Sequence, residues 1–190
     1  MNKSNLKYAG VITAALVASA ALWEGTRYDP YYDIVGVLTV CQGYTGKDIV
    51  KGKRYSPAEC KAFLEKELKV HQAGVLKCVN VPLKQHQIDA YTLFAYNVGV
   101  NAFCTSKSVL EPLNRGNTQA ACDGLLKWAY AKGKFVQGLY NRRVYERRMC
   151  RGELNVEQIP IAFDFTDFHY RWIVRDPHNQ GGISSQSSEG

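Results

Sequence analysis

The sequence predicts an α+β domain that is mainly helical, with a small β lobe early in the chain and an apolar helix ahead of it. Three observations carry this. Ser56-Pro57-Ala58-Glu59 is a capping box with proline at the first helical position. The segment from Gln85 to Val98 is apolar on most of its circumference, the mark of a helix at the centre of a core. The run from Asp33 to Cys41 is rich in valine and threonine and reads as a short hairpin or meander.

The remaining elements follow in order. The capping box opens a helix whose apolar face is Cys60, Phe63, Leu64 and Leu68, with lysines and glutamates opposite. Pro82 ends an extended link, and Gly99 stops the central helix. Ser106 to Leu113 is a short helix disturbed by Pro112. Asn114 to Asn117 is a turn, and Thr118 is placed to cap a helix through Ala121, Leu125 and Trp128. Gly133 breaks that helix. A last one runs from about Val136 to Cys150 and ends at Gly152. Residues 153–176 form an aromatic extension, expected to pack on the domain. Residues 177–190 are Gly, Ser and Gln with little to bury, and are read as a disordered tail.

The chain has 190 residues and a net charge of +7, which suits one domain and a polyanionic partner. No CxxC pair occurs, and the four histidines lack zinc-ligand spacing, so no metal is expected. Tyr8 to Trp23 carries no charge and follows Lys3 and Lys7, the plan of an export signal. Its 16 residues fall short of the ~20 that span a bilayer comfortably. Nine of the sixteen are Ala, Gly, Ser or Thr, so its hold on lipid is weak. Three fates are open: cleavage after Ala20, retention as an anchor, or insertion followed by release. A buried Ala-rich helix is the structural alternative. Export makes disulfides of Cys41, Cys60, Cys78, Cys104, Cys122 and Cys150. Six cysteines allow 15 connectivities. The arrangement carried forward pairs neighbours along the chain: 41 with 60, 78 with 104, 122 with 150.

Glu24, Asp33 and Thr39 form the pattern Glu-x8-Asp-x5-Thr among turn-forming glycines. A chance match is expected roughly 0.02 times per chain of this composition. Glycoside hydrolysis needs one carboxylic acid to protonate the leaving oxygen and a second carboxylate to activate water. Apolar surroundings such as Trp23 would favour the acid form of Glu24. The Thr39 hydroxyl would hold the attacking water with Asp33.

With these residues the chain resembles the phage lysozymes of glycoside hydrolase family 24, the muramidase endolysins. The resemblance rests on Glu24-Gly25, Tyr32 to Val40, Gln42 to Thr45, Val81-Pro82-Leu83, Gln87, Phe94 to Gly99, Phe103 to Ser106, and Gly138-Leu139-x-x-Arg142-Arg143-x-x-Glu146, in family order. It covers about residues 24–151. It implies a lysozyme-like fold, with a small β lobe and a larger helical lobe flanking a cleft. By the resemblance Glu24 is the general acid, Asp33 activates water beside Thr39, and the anomeric centre is inverted. Carboxyl groups about 6.5–9.5 Å apart go with inversion. Arg142 lies near the acid. Tyr96, Asn97 and Ser106 line the substrate cleft, although Tyr96 is equally a core aromatic and Ser106 a plain helix cap.

The N-terminal stretch resembles the signal-anchor-release segment of some of these endolysins. There is no cysteine in it and Asp33 occupies the second triad position, so activation by disulfide exchange with the anchor is not expected. Tyr44 stands where the family commonly has histidine, so that local contact must be made differently.

The reading is a monomeric enzyme without cofactors that acts on peptidoglycan glycan strands. Residues 1–23 are the signal-anchor segment and 24–152 the catalytic domain. Host secretion machinery exports it, the inner membrane holds it through residues 8–23, and the periplasm receives it after release. The competing readings are a lytic transglycosylase and an inactive, tethered wall-binding protein. A nucleic-acid binder would have no use for the export segment.

Overall fold

The computed structural model describes residues 2–154. The aromatic extension, beyond its first two residues, and the tail lie outside the described residues.

The apolar stretch does not form one helix. A 3-10 turn covers Lys3–Tyr8, the chain breaks at Gly10, and helix α1 runs Ala14–Glu24. Thr13 caps α1 by accepting the Leu16 N–H at 3.0 Å. Leu16, Val17, Ala20 and Ala21 are buried in the main core against α2 (Pro57–Cys78) and α3 (Gln85–Val98). The small alanines that weaken the stretch as a lipid span let the helix approach its neighbours closely. Among the described residues, no helix is long and apolar enough to cross a membrane.

The residues ahead of α1 are docked rather than loose. The amide of Asn5, fully buried, donates to the Val81 carbonyl and accepts the Leu83 N–H, both at 2.9 Å. Gln72 does the same for Gly10 and Val11, at 2.8 and 2.7 Å. The Thr13 hydroxyl donates to Asp89, whose carboxyl is pushed up by burial against the pull of Thr13 and Gln85. No local sequence signal announces these contacts.

Strand β1 (Arg27–Tyr32) pairs antiparallel with β2 (Leu38–Cys41), in the register Tyr31 to Thr39 and Tyr32 to Leu38. The hairpin is therefore present but shifted: Asp33 to Val37 is its turn rather than its first strand. Beneath it a small cluster buries Val40, Cys41, Tyr44, Tyr55 and Cys60. The capping box at Ser56 forms as expected. It starts α2, a helix of 22 residues, about 33 Å long, which joins the two lobes. Cys60 packs in the small cluster, while Leu64 to Leu76 pack in the large one.

Helix α3 buries every residue from Ile88 to Ala95 and ends at Gly99, whose φ of 91° favours glycine. Short helices α4 (Val100–Cys104), α5 (Leu110–Asn114) and α6 (Thr118–Gly124) follow. Three expectations are corrected here. The 106–113 helix starts only at Leu110, so Pro112 sits in its first turn, where a missing N–H costs nothing. The cap of α6 is Asn117, which accepts the Ala120 N–H at 3.0 Å, rather than Thr118. And α6 stops at Gly124, continuing as the 3-10 turn Leu125–Trp128. A two-residue hairpin, β3 (Tyr130–Ala131) with β4 (Lys134–Phe135), was not expected. Helix α7 runs Gln137–Arg151.

The disulfides are Cys41–Cys60, Cys78–Cys104 and Cys122–Cys150, the neighbour pairing. The first pins β2 to α2 in the small cluster. The other two staple the helical core. All six cysteines are used, so a thiol-based switch has no free sulfur to work with.

Candidate active site

Glu24 is the last residue of α1. Gly25, at φ 68°, turns the chain out of the helix and into β1. The Glu24 side chain is 28% exposed, and its Oε1 accepts a bond from Arg142 Nη1 at 2.7 Å. Arg142 lies on α7, is only 5% exposed, and also bonds Glu146 Oε1 through Nε at 3.2 Å. Glu146 is completely buried and takes a second bond from Arg143 Nη2 at 2.9 Å. The same Nη2 reaches Asn97 Oδ1 on α3 at 2.9 Å. Burial pushes the Glu146 carboxyl up, against the pull of the two guanidinium groups. Trp23, offered as an apolar neighbour for Glu24, packs edge-on against Tyr145 with ring centres 5.9 Å apart. The side-chain contact of Glu24 is thus a guanidinium.

Asp33 and Thr39 are linked through the turn of the first hairpin. Asp33 Oδ1 accepts the N–H groups of Val35 and Val37 at 2.9 and 2.8 Å, closing an Asx turn. The Asp33 N–H and the Thr39 hydroxyl both donate to the Val37 carbonyl, at 3.0 Å each. Thr39 lies opposite Tyr31, two residues before Asp33. Asp33 follows β1 directly, so the turn that holds it lies at the same end of the hairpin as Thr39. Asp33 Oδ2 makes no hydrogen bond to protein among the described residues. The register also places Glu24 beside the foot of the hairpin and Asp33 at its tip.

The three expected cleft residues have different fates. Tyr96 donates its hydroxyl to the Gln42 carbonyl at 3.0 Å, and the Gln42 amide donates to Thr26 at 2.9 Å. This chain ties α3 to both ends of the hairpin foot. Burial, then the charge of Glu24, pushes the Tyr96 phenol up. Asn97 is exposed on one side and bonded to Arg143 on the other. The Ser106 hydroxyl donates to the Phe103 carbonyl at 2.7 Å and accepts the Leu110 N–H at 2.9 Å while 5% exposed. Both bonds are local and hold the chain ahead of α5. Tyr44 stacks on Phe63 at 4.2 Å and bonds Asp48 and Lys66, so the contact left open by the missing histidine is made by a phenol. Gln42 and Glu146 entered the sequence reading only within motifs. Their visible signals were a glutamine just past a strand and an Arg-Arg-x-x-Glu spacing that gathers one helix face.

The family model described as phage lysozyme matches residues 21–146. A SAR-endolysin of Bacteriophage PS119 is 47% identical over 127 residues, covering 67% of this chain and 75% of that protein. The SAR-endolysin of Enterobacteria phage P21 is 46% identical over 127 residues, covering 67% and 76%. The crystal structure of a P22 lysozyme mutant superposes with a TM-score of 0.68 at 32% identity, over 74% of this chain and 97% of that one. The muramidase domain of SpmX from Asticaccaulis excentricus gives 0.66 at 26% identity, over 73% and 96%. The fold is lysozyme-like, mainly helical with small antiparallel sheets, and the chain belongs to the phage lysozyme family.

Proposed function

We propose that this protein is a phage endolysin that hydrolyses the β-1,4 bond between N-acetylmuramic acid and N-acetylglucosamine in bacterial peptidoglycan, and so lyses the host. The observation that carries the reading is the arrangement of two carboxylates along one hairpin, Glu24 gripped by Arg142 at its foot and Asp33 beside Thr39 at its tip. Membership of the phage lysozyme family supports it.

In this mechanism Arg142 fixes one oxygen of Glu24 and leaves Oε2 to face the glycosidic oxygen. Glu24 gives its proton to O4 of the departing N-acetylglucosamine as the C1–O4 bond breaks. Asp33 Oδ2 and the Thr39 hydroxyl hold a water on the opposite face of the sugar. Asp33 takes the proton of that water as its oxygen bonds C1, which inverts the anomeric centre. Tyr96 and Asn97 border the bound strand, and Ser106 supports the fold.

Before lysis, residues 8–23 serve as an anchor in the host inner membrane, with Lys3 and Lys7 on the cytoplasmic side and the catalytic domain facing the periplasm. As a helix, these 16 residues span about 24 Å, short of the ~30 Å hydrocarbon core, so the anchor is weak. Leu16, Val17, Ala20 and Ala21 complete the helical core once they leave the bilayer, and they cannot do both at once. The tethered chain therefore lacks α1, the helix that ends in Glu24, and is inactive until release. Cleavage after Ala20 would remove most of that helix.

The test is digestion of purified peptidoglycan by the wild type and by Glu24→Gln, with products identified by mass spectrometry. Reducing-end muramic acid from the wild type alone is expected. Anhydro-muramic products would replace this reading with a transglycosylase, and no products from folded wild type would replace it with a wall-binding role.

A further inference from the structure

The buried array behind Glu24 is larger than an acid and its partner require. Arg142, Arg143 and Glu146 occupy one face of α7, at the i, i+3 and i+4 spacings that bring side chains together. All three are buried, Arg143 and Glu146 completely. Arg143 also lies over the Phe94 ring at 4.9 Å. Within the array, Arg142 Nη2, Arg143 Nε and Nη1, and Glu146 Oε2 make no hydrogen bond to protein among the described residues. A fully buried set of charges with unbonded polar atoms is a poor device for stability, since apolar side chains would fill the same volume at less cost. Its value lies in what it does to the one member that reaches the surface, Glu24.

We propose that Glu146 is a positioning residue for the reaction: it holds Arg142 and Arg143 together and thereby sets how firmly Arg142 grips the Glu24 carboxyl. This rests on the reading of Glu24 as the acid. Arg142 divides its guanidinium between two carboxylates, Glu24 at 2.7 Å and Glu146 at 3.2 Å. Arg143 is close enough for the Glu24 charge to act on it. With Glu146 ionised, as its contacts to two guanidinium groups favour against burial, there are two positive charges and one negative behind Glu24, a surplus of one. Without the Glu146 charge the surplus doubles, and ionised Glu24 is favoured over the acid form that protonates the leaving oxygen. Without Arg143 the surplus vanishes and the acid form is favoured. The other groups facing this point are Tyr96 on α3 and, beyond it on α2, Glu67 and His71, the last with its ring 5.1 Å from that of Tyr96. They are unchanged in the variants below.

The experiment is a carbon-13 NMR titration of the Glu24 carboxyl in the full chain, assigned by its absence in Glu24→Gln, run beside the pH profile of kcat/KM on peptidoglycan. In Glu146→Gln both the titration and the alkaline limb of the profile should move down by about one pH unit. In Arg143→Gln both should move up, and the double variant should return towards the wild type. A merely structural Glu146 would lower the amount of folded protein, or the rate at every pH alike, and leave the titration in place. An unmoved titration in folded Glu146→Gln overturns the proposal. Should that variant fail to fold, Arg143→Gln decides with the opposite sign, and no upward movement overturns it. A titration that moves while the activity limb stays still would support the grip of Glu146 on Glu24 and overturn Glu24 as the acid, so the two failures are told apart.

Discussion

Glu24 and Asp33 are the same kind of group nine positions apart, yet opposite kinds of structure hold them. Asp33 is fastened by two backbone N–H groups of its own turn, no more than four residues away. Glu24 is fastened by an arginine 118 residues away, itself locked in a buried ion array on α7. The turn needs only its hairpin, whereas the position of Glu24 needs α1, α3 and α7 to be packed together. The contrast locates control: anything that keeps α1 out of the core displaces Glu24, the acid of the proposed mechanism, and leaves Asp33 fastened in its turn.

The largest effects should come from removing each carboxylate while keeping its fastening. Glu24→Gln still offers an oxygen to Arg142, and Asp33→Asn still offers one to Val35 and Val37. Both variants should therefore fold and melt like the wild type. Each should lose about 10²–10⁴-fold in turnover on peptidoglycan, the usual worth of an acid or base. A substantial loss of melting temperature in Asp33→Asn, with activity retained, would mean that Asp33 acts only in the turn.

Next comes the dependence on α1. Leu16 is completely buried in the main core, and Ile34 at the hairpin tip is fully exposed at 103%. Leu16→Ala should cost about 2–5 kcal/mol in urea unfolding of the released protein, and Ile34→Ala within about 0.5 kcal/mol either way. The sharper form of the comparison is functional. A chain held in membrane by residues 8–23 should show little hydrolysis on the same wall that the released chain digests. Equal activity of the two forms would break the link between α1 and Glu24.

The same contrast explains what could be read from the sequence. The signals at 56–59 and at Gly99 are local and became the cap and the stop expected of them, while Asp33 of the Glu-Asp-Thr spacing fell in the hairpin's turn rather than in its first strand. The all-round apolar helix at 85–98 was legible because only a core centre accommodates such a surface. The Arg142–Glu24 bond, the Asn5 and Gln72 clasps on the N-terminal residues, and the β3–β4 pair depend on tertiary contacts or on strands too short to show a period. Residues 8–23 were ambiguous for a physical reason: a short, Ala-rich helix suits a bilayer and a close-packed core about equally. The segment's composition therefore left both readings open, and in the described structure Leu16, Val17, Ala20 and Ala21 of it lie in the core.

The smallest expected effect belongs to the small lobe and acts through pH. Glu59 closes the capping box of α2, and its carboxyl is held down to about 2, first by Lys53 and then by the Ser56 N–H and hydroxyl. A carboxylate depressed in the folded state binds its proton more readily when unfolded, so its contribution is complete above the unfolded value of about 4.5. That contribution fades as pH falls from there towards about 2, leaving the N-terminal turn of α2 weaker in acid. Ser56→Ala removes the hydroxyl that accepts the Glu59 N–H and should cost about 1 kcal/mol at neutral pH. Amide exchange at the start of α2, followed between pH 6 and about 3, should show the acid-dependent fraying in the wild type and a flatter profile in Glu59→Gln. The amides of α3 should not fray in parallel, because the buried carboxyls on and against that helix, Asp89 and Glu146, are pushed up rather than down and so lose no stability as pH falls. Parallel fraying of α3 would mean that the two lobes open as one unit, and that the separation between the fastening of Asp33 and that of Glu24 does not hold in acid.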